Sequence, residues 1–161
     1  MTRRHLLALL AAAPLALATI AKADEPTAAQ PALPKEKLVI VTHDGKQHDF
    51  MVEMALTPEQ QQIGNMFRND IPDGTGMLFD WVTPAIKQMW MKNCPVSEDM
   101  LFIDNEGVIR RIVERTTPES LAIIDSLVPV RATLEVAGGT TEKLDIRVGD
   151  KVQNKLFGNA S

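Results

Sequence analysis

The stretch Leu38-Val39-Ile40-Val41-Thr42, followed by His43, Asp44-Gly45 and a second run from Lys46 to Met54, decides the fold class. β-Branched and apolar residues dominate the first run, a composition suited to a half-buried strand. Asp-Gly between two such runs predicts a hairpin with a type I′ turn, positive φ at both central residues, and His48 opposite Val41. Further on, Thr57-Pro58-Glu59-Gln60 predicts a helix start with a hydroxyl cap, proline in the first turn and a capping-box glutamine. Ile63, Met66 and Phe67 fall on one face of that helix, and Ile71-Pro72-Asp73-Gly74 closes the segment in a turn.

Strands are expected again at residues 76–79, 86–92, 100–104 and 108–114, with Asn105-Glu106-Gly107 as a three-residue hairpin loop. Residues 121–125 read equally as strand or helix. Arg131 to Val136 alternates as a strand and stops at Gly138-Gly139; Thr141 to Leu144 suits a helical turn, and Ile146 to Val152 a last strand. Many short strands with turn residues between them predict a mainly β, single-domain architecture. The expected form is a β-sandwich, jelly-roll-like or a partly open barrel, with one or two short helices.

The N-terminus predicts export. Thr2-Arg3-Arg4-His5 is charged, Leu6 to Ile20 is apolar, and Ala21-Lys22-Ala23 offers small residues for signal peptidase. The apolar run is short for a bilayer, which needs about 20 helical residues. A cleavable signal peptide is therefore expected over residues 1–23, and no membrane anchor after cleavage. The two arginines suit the twin-arginine route and the general secretory route alike. Pro26, Pro31 and Pro34 predict a disordered linker over 24–36, a domain over 37–156 and a tail over 157–161. The expected location is periplasmic or secreted.

Cleavage leaves 14 basic against 21 acidic residues, a formal charge of −7. Such a domain lacks the positive footprint that phosphate backbones require, so nucleic acid is not an expected partner. Cys94 is the single cysteine, which excludes an internal disulfide. The core must hold by packing.

Several blocks together resemble one family. Thr57-Pro58-Glu59, Gly64-Asn65-Met66-Phe67-Arg68, Gly76-Met77-Leu78-Phe79, Trp90-Met91-Lys92-Asn93 and Asp99-Met100-Leu101-Phe102-Ile103-Asp104 are similar to domain-of-unknown-function family 192. Leu134-Glu135-Val136-Ala137-Gly138-Gly139 and Gly149-Asp150 complete the pattern, over roughly residues 37–153. The resemblance implies a compact β-sandwich, commonly exported, and no established activity. The family pattern has Thr where this chain has Cys94 and an apolar residue where it has Glu98.

The segment Gln88 to Cys94 is the most unusual on the chain. As a strand it places Gln88, Trp90 and Lys92 on one face and Met89, Met91 and Asn93 on the other. A rim is expected where Lys92, Asn93 and Asp99 meet, with Arg68 closing it and Glu135 nearby. Read as a ligand site, Trp90 is an aromatic wall, Lys92 and Arg68 hold a carboxylate or phosphate, and Asn93 both donates and accepts. Read structurally, Lys92 pairs with Asp99 and Arg68 with Glu135, because half-buried polar groups need partners.

Two other chemistries compete with this reading. Met89, Met91, Cys94 and Met100 form a soft ligand set suited to Cu(I), although buried methionine more often fills a core. His43 and His48 lack a third ligand for zinc. A carboxylate-based hydrolase would need a pair such as Asp99 with Glu135 at fixed separation. Cys94 lacks a nearby histidine base, and no nucleotide-binding glycine loop is present. The expected function is an exported binding or accessory module for a small or extended ligand, without catalytic residues or a cofactor. The alternatives are Cu(I) handling and carboxylate-based hydrolysis.

Overall fold

β-Branched runs separated by turn residues form nine strands between Lys35 and Gln153 in the computed structural model, which describes residues 25–160. The export signal expected over residues 1–23 lies outside the described residues. Seven strands form one sheet: β1 (Lys35–Val41), β2 (Gln47–Ala55), β3 (Thr75–Ala85), β5 (Glu98–Ile103), β6 (Ile109–Val113), β8 (Val130–Ala137) and β9 (Lys151–Gln153). Their order is β6-β5-β8-β3-β2-β1-β9, and β4 (Gln88–Met89) pairs with β7 (Ile124–Asp125) in a separate ribbon. All pairs are antiparallel except β2–β3, whose connection carries α1 (Pro58–Ile63). A second short helix, α2 (Thr140–Leu144), follows β8.

The sheet curls until its edges meet at one end. Val108 bridges Lys151, Ile109 N donates to Asp150 O at 3.0 Å, and Val152 N donates to Gly107 O at 2.7 Å. The architecture is thus mainly β, and of the expected forms it is the partly open barrel. Leu38, Ile40, Phe50, Met54, Leu78, Leu101, Leu134 and Val152 fill the inside of the curl.

Alternation along the strands sends the neighbouring residues to the outer face, where Ala55, Met77, Phe79, Met100 and Phe102 form a second apolar cluster. That cluster is covered by the segment after α1 and by the β4–β7 ribbon, which contribute Met66, Met89, Met91 and Cys94. Strand β5, second in the sheet order, is consequently buried at every position.

Several local expectations are corrected. Val41 pairs with Gln47 and Ile40 with His48, so the loop spans residues 42–46 and His48 does not face Val41. Only Gly45 has positive φ there, because Gly45 N donates to Thr42 O and Thr42 Oγ1 to Asp44 Oδ1, building a longer loop than a type I′ turn. The helix has the expected capping box from Thr57 and Gln60, but Gly64 ends it at φ 50°. Met66 and Phe67 therefore reach the core from the turn beyond the helix.

The strand expected over 86–92 shrinks to Gln88–Met89, and that over 146–152 to Lys151–Gln153. The spacer expected over 24–36 is also shorter than expected. β1 already begins at Lys35, Met54 N donates to Pro34 O at 3.0 Å, and Gln30 Nε2 donates to the Gln60 and Gly64 carbonyls at 3.1 and 2.9 Å.

Candidate functional site

The strand register determines which polar residues can meet. Glu53 pairs with Met77, Met77 with Glu135 and Glu135 with Met100, so these four side chains form one row across the outer face. Glu98 lies two residues before Met100 and shares its face, diagonal to Glu135. Asp99 has the opposite parity and cannot join them. Gly76 lets β8 approach closely, since a Cβ there would meet the Glu135 carbonyl.

The turn after α1 covers this row. Asn65 Nδ2 donates to Glu135 Oε2 at 3.0 Å. Phe67, in a left-handed conformation, donates its N–H to Asn93 O at 2.7 Å, which ties the turn to the tryptophan segment. Asn93 is itself left-handed, and its Nδ2 lies 3.7 Å from Met66 Sδ. Arg68 donates twice to Glu53, at 2.8 Å each, in a bidentate fork. Glu53 Oε2 also accepts from Leu33 N at 2.8 Å.

Glu98 and Glu135 are 0 % and 4 % exposed, and neither Glu98 oxygen has a hydrogen-bond partner of good geometry among the described residues. Burial raises the pKa of the Glu98 carboxyl to about 7, opposed by nearby Glu135, Asn65 and Arg68. Burial and the Glu98 charge push Glu135 well above the ordinary carboxyl range. The same burial, reinforced by Glu98, Glu135 and Glu119, pushes the Cys94 thiol far upward and keeps it protonated. Cys94 thus lies within electrostatic reach of both acids.

A hollow of about 30 Å³ opens beside Glu135, bordered also by Asn65, Met66, Met89, Trp90 and Cys94. A second hollow, of about 80 Å³, lies on the other side of Asn65, against Arg68, Glu53 and Gly76.

The expected rim of Lys92, Asn93 and Asp99 does not form. Asp99 is buried, and accepts from Arg115 N, Gly139 N, Thr141 N and Thr141 Oγ1 at 2.7–2.9 Å. It pins the loops beyond β6 and β8 to the end of β5. Lys92 pairs with Glu25 at 2.7 Å and sits 5.2 Å from the centroid of the exposed Trp90 ring. Both expected ion pairs are therefore exchanged, Lys92–Asp99 for Lys92–Glu25 and Arg68–Glu135 for Arg68–Glu53. Of the expected site residues, Glu135 and Trp90 border one hollow, Arg68 the neighbouring one, and Asn93 braces the wall between them.

Met89, Met91, Cys94 and Met100 do gather, together with Met66 and Met77, inside the cluster holding Phe79 and Phe102. Among the described residues, no group of three or more His, Cys, Asp or Glu side chains could hold a metal ion. Thioethers beside aromatic rings suit this packing. His43 donates its N–H to Asp150 Oδ1 at 2.8 Å in the turn, apart from His48.

Asn65, Glu53 and Glu98 were not among the expected site residues. Glu98 was detectable from its parity with Met100 and Phe102; Asn65 and Glu53 carry no comparable mark.

Comparison with known proteins agrees with this architecture. The family DUF192, described as uncharacterised ACR, matches residues 39–154. A crystal structure from Sinorhizobium meliloti 1021, of a proposed transcription regulator, is 39% identical at a TM-score of 0.77. The match covers 79% of this chain and 98% of that one. A protein of unknown function from Novosphingobium aromaticivorans DSM 12444 is 30% identical at a TM-score of 0.74, over 86% of this chain and 99% of that one. No curated protein matches the chain.

Proposed function

This chain belongs to the DUF192 family, and we propose that it is an exported binding module whose ligand presents a small cationic group, such as a protonated amine, to the hollow above Glu135. The observation that carries this reading is Glu135, which borders the hollow while only 4 % exposed and lies beside Glu98, whose two oxygens have no hydrogen-bond partner among the described residues. A buried carboxylate left without partners is costly, and an arriving cation relieves that cost. Asn65 orients Glu135 by donating to Oε2, and the exposed Trp90 ring offers a face on which a cation is attracted. The anion first expected as ligand finds its two cations already engaged, Arg68 by Glu53 and Lys92 by Glu25.

A hollow of about 30 Å³ admits a terminal group and not a whole metabolite, which suits the end of an extended ligand lying along Trp90. The acidic balance of the mature chain draws cations and supports no nucleic-acid partner. The N-terminal charged, apolar and small-residue pattern supports delivery outside the cytoplasm.

Calorimetric titration with n-butylamine and spermidine, beside acetate and phosphate, tests the reading. Binding of the amines, lost in Glu135→Gln with an unchanged circular dichroism spectrum, is expected. Binding of the anions alone, or of none of the four, would refute it.

A further inference from the structure

The β4–β7 ribbon has one buried and one bare face. Met89 pairs with Ile124 against the outer cluster, while Gln88 pairs with Asp125 on the opposite face. Ser126 N donates to Lys87 O at 2.8 Å, extending the ribbon by one residue pair. Continued by one pair at each end, this register sets Trp90 beside Ile123 and Ile86 near Leu127, which is left-handed, with Leu121 two residues beyond Ile123. Ile86, Ile123, Leu121 and Leu127 are each more than half exposed, and Trp90 is 41% exposed. Five large apolar side chains on one side of a small ribbon exceed the scattered apolar residues of an ordinary surface.

The path of the chain indicates what covers them. Glu25, the first described residue, is held at 2.7 Å by Lys92, and that ammonium lies over Trp90 at the edge of the bare face. Immediately upstream are Ala21 to Asp24 and then the apolar run Leu6 to Ile20. Five residue steps separate Glu25 from Ile20, a reach of up to about 17 Å. From Ile86 to Lys92 a strand path measures about 20 Å. Fifteen residues cover about 22 Å even at the short rise of ~1.5 Å per residue, enough for the length of the ribbon.

We propose that in the unprocessed chain this face seats the chain's own apolar segment, Leu6 to Ile20, and that removal of the segment uncovers the face in the processed protein. The apolar stretch that addresses the chain for export would thus be shielded by the domain it precedes. This inference is independent of the acid-pair hollow. Its occupant is fixed by continuity, since burying an apolar run against an apolar face needs no partner from another molecule.

Cell-free translation of the full chain, without signal peptidase, provides the test. In a Cys94→Ser background, Leu10→Cys is combined with Ile123→Cys or with Val148→Cys, an equally exposed apolar position in the turn before β9. A bis-maleimide is expected to link 10 to 123 within one chain and not 10 to 148. As a second readout, Ile123→Cys alone should react slowly with a water-soluble maleimide in the full chain and quickly in a chain starting at Asp24. Equal labelling of the two forms overturns the proposal. Links formed only between two chains also overturn it, and make a second copy the occupant. Protection of the Ile123→Cys thiol that appears only when phosphatidylcholine vesicles are added overturns it in favour of a membrane.

Discussion

Glu98 and Glu135 face the same side of adjacent antiparallel strands, offset by one diagonal step, and both are buried against the outer methionine cluster. The asparagine after α1 serves one of them, while the Arg68 guanidinium that could neutralise either is turned to Glu53. The site is a charge imbalance enclosed by apolar side chains.

A definite pH dependence follows. A carboxyl whose folded value lies above its unfolded value binds its proton better in the native state. Stability is therefore highest below the ordinary glutamate range, near 4.5, and falls as pH rises to about 7, where Glu98 ionises. Glu98→Gln should reduce this slope, leaving the part that burial of Glu135 causes, and add about 1–3 kcal/mol at pH 8. Urea denaturation of both proteins at pH 5 and pH 8 measures it.

Arg68 is a structural cation. Arg68→Ala leaves the Glu53 carboxylate, only 9% exposed, without its fork and should cost roughly 2–4 kcal/mol. Arg68→Lys keeps the charge but loses the second bond and should recover part of the loss. Thermal unfolding of the three proteins tests the order.

Asp99→Asn replaces an acceptor of four hydrogen bonds by an amide, in contact with the Gly139, Thr141 and Arg115 N–H groups. A loss of about 2–4 kcal/mol is expected, with early hydrogen exchange in the loop from Gly138 to Thr141. Amine binding by the folded fraction should be unchanged, because Asp99 faces away from Glu135.

Cys94 is buried, and its thiol is held in the protonated form. Iodoacetamide at pH 8 should leave it unmodified in the native protein and alkylate it within minutes in 6 M guanidinium, at a rate typical of an ordinary thiol. Mass spectrometry of the two samples shows the difference.

The legible part of the fold rests on local chemistry. The Thr57–Gln60 capping box depends on residues three apart and is present as read. So is the Asn105-Glu106-Gly107 loop, in which Gly107 has φ 77°. Where a longer range decides, local reading falls short. The segment from Gln88 to Lys92 alternates in burial as a strand would, yet only two of its residues find a partner strand, because its neighbour is the short β7. Trp90 and Glu135, both expected at a site, border one hollow; Asn65 and Glu53 were not expected there, since each resembles a surface polar residue until the sheet is assembled.

The sequence by itself determined strand composition, caps, turns and the acidic balance, because these depend on residues close along the chain or on simple sums over it. Only the tertiary structure decided which acids share a face. Side chains alternate across a strand, so a step of one residue separates Glu98, beside Glu135, from Asp99 on the other side. Which side is covered depends on α1 and the β4–β7 ribbon folding over the sheet.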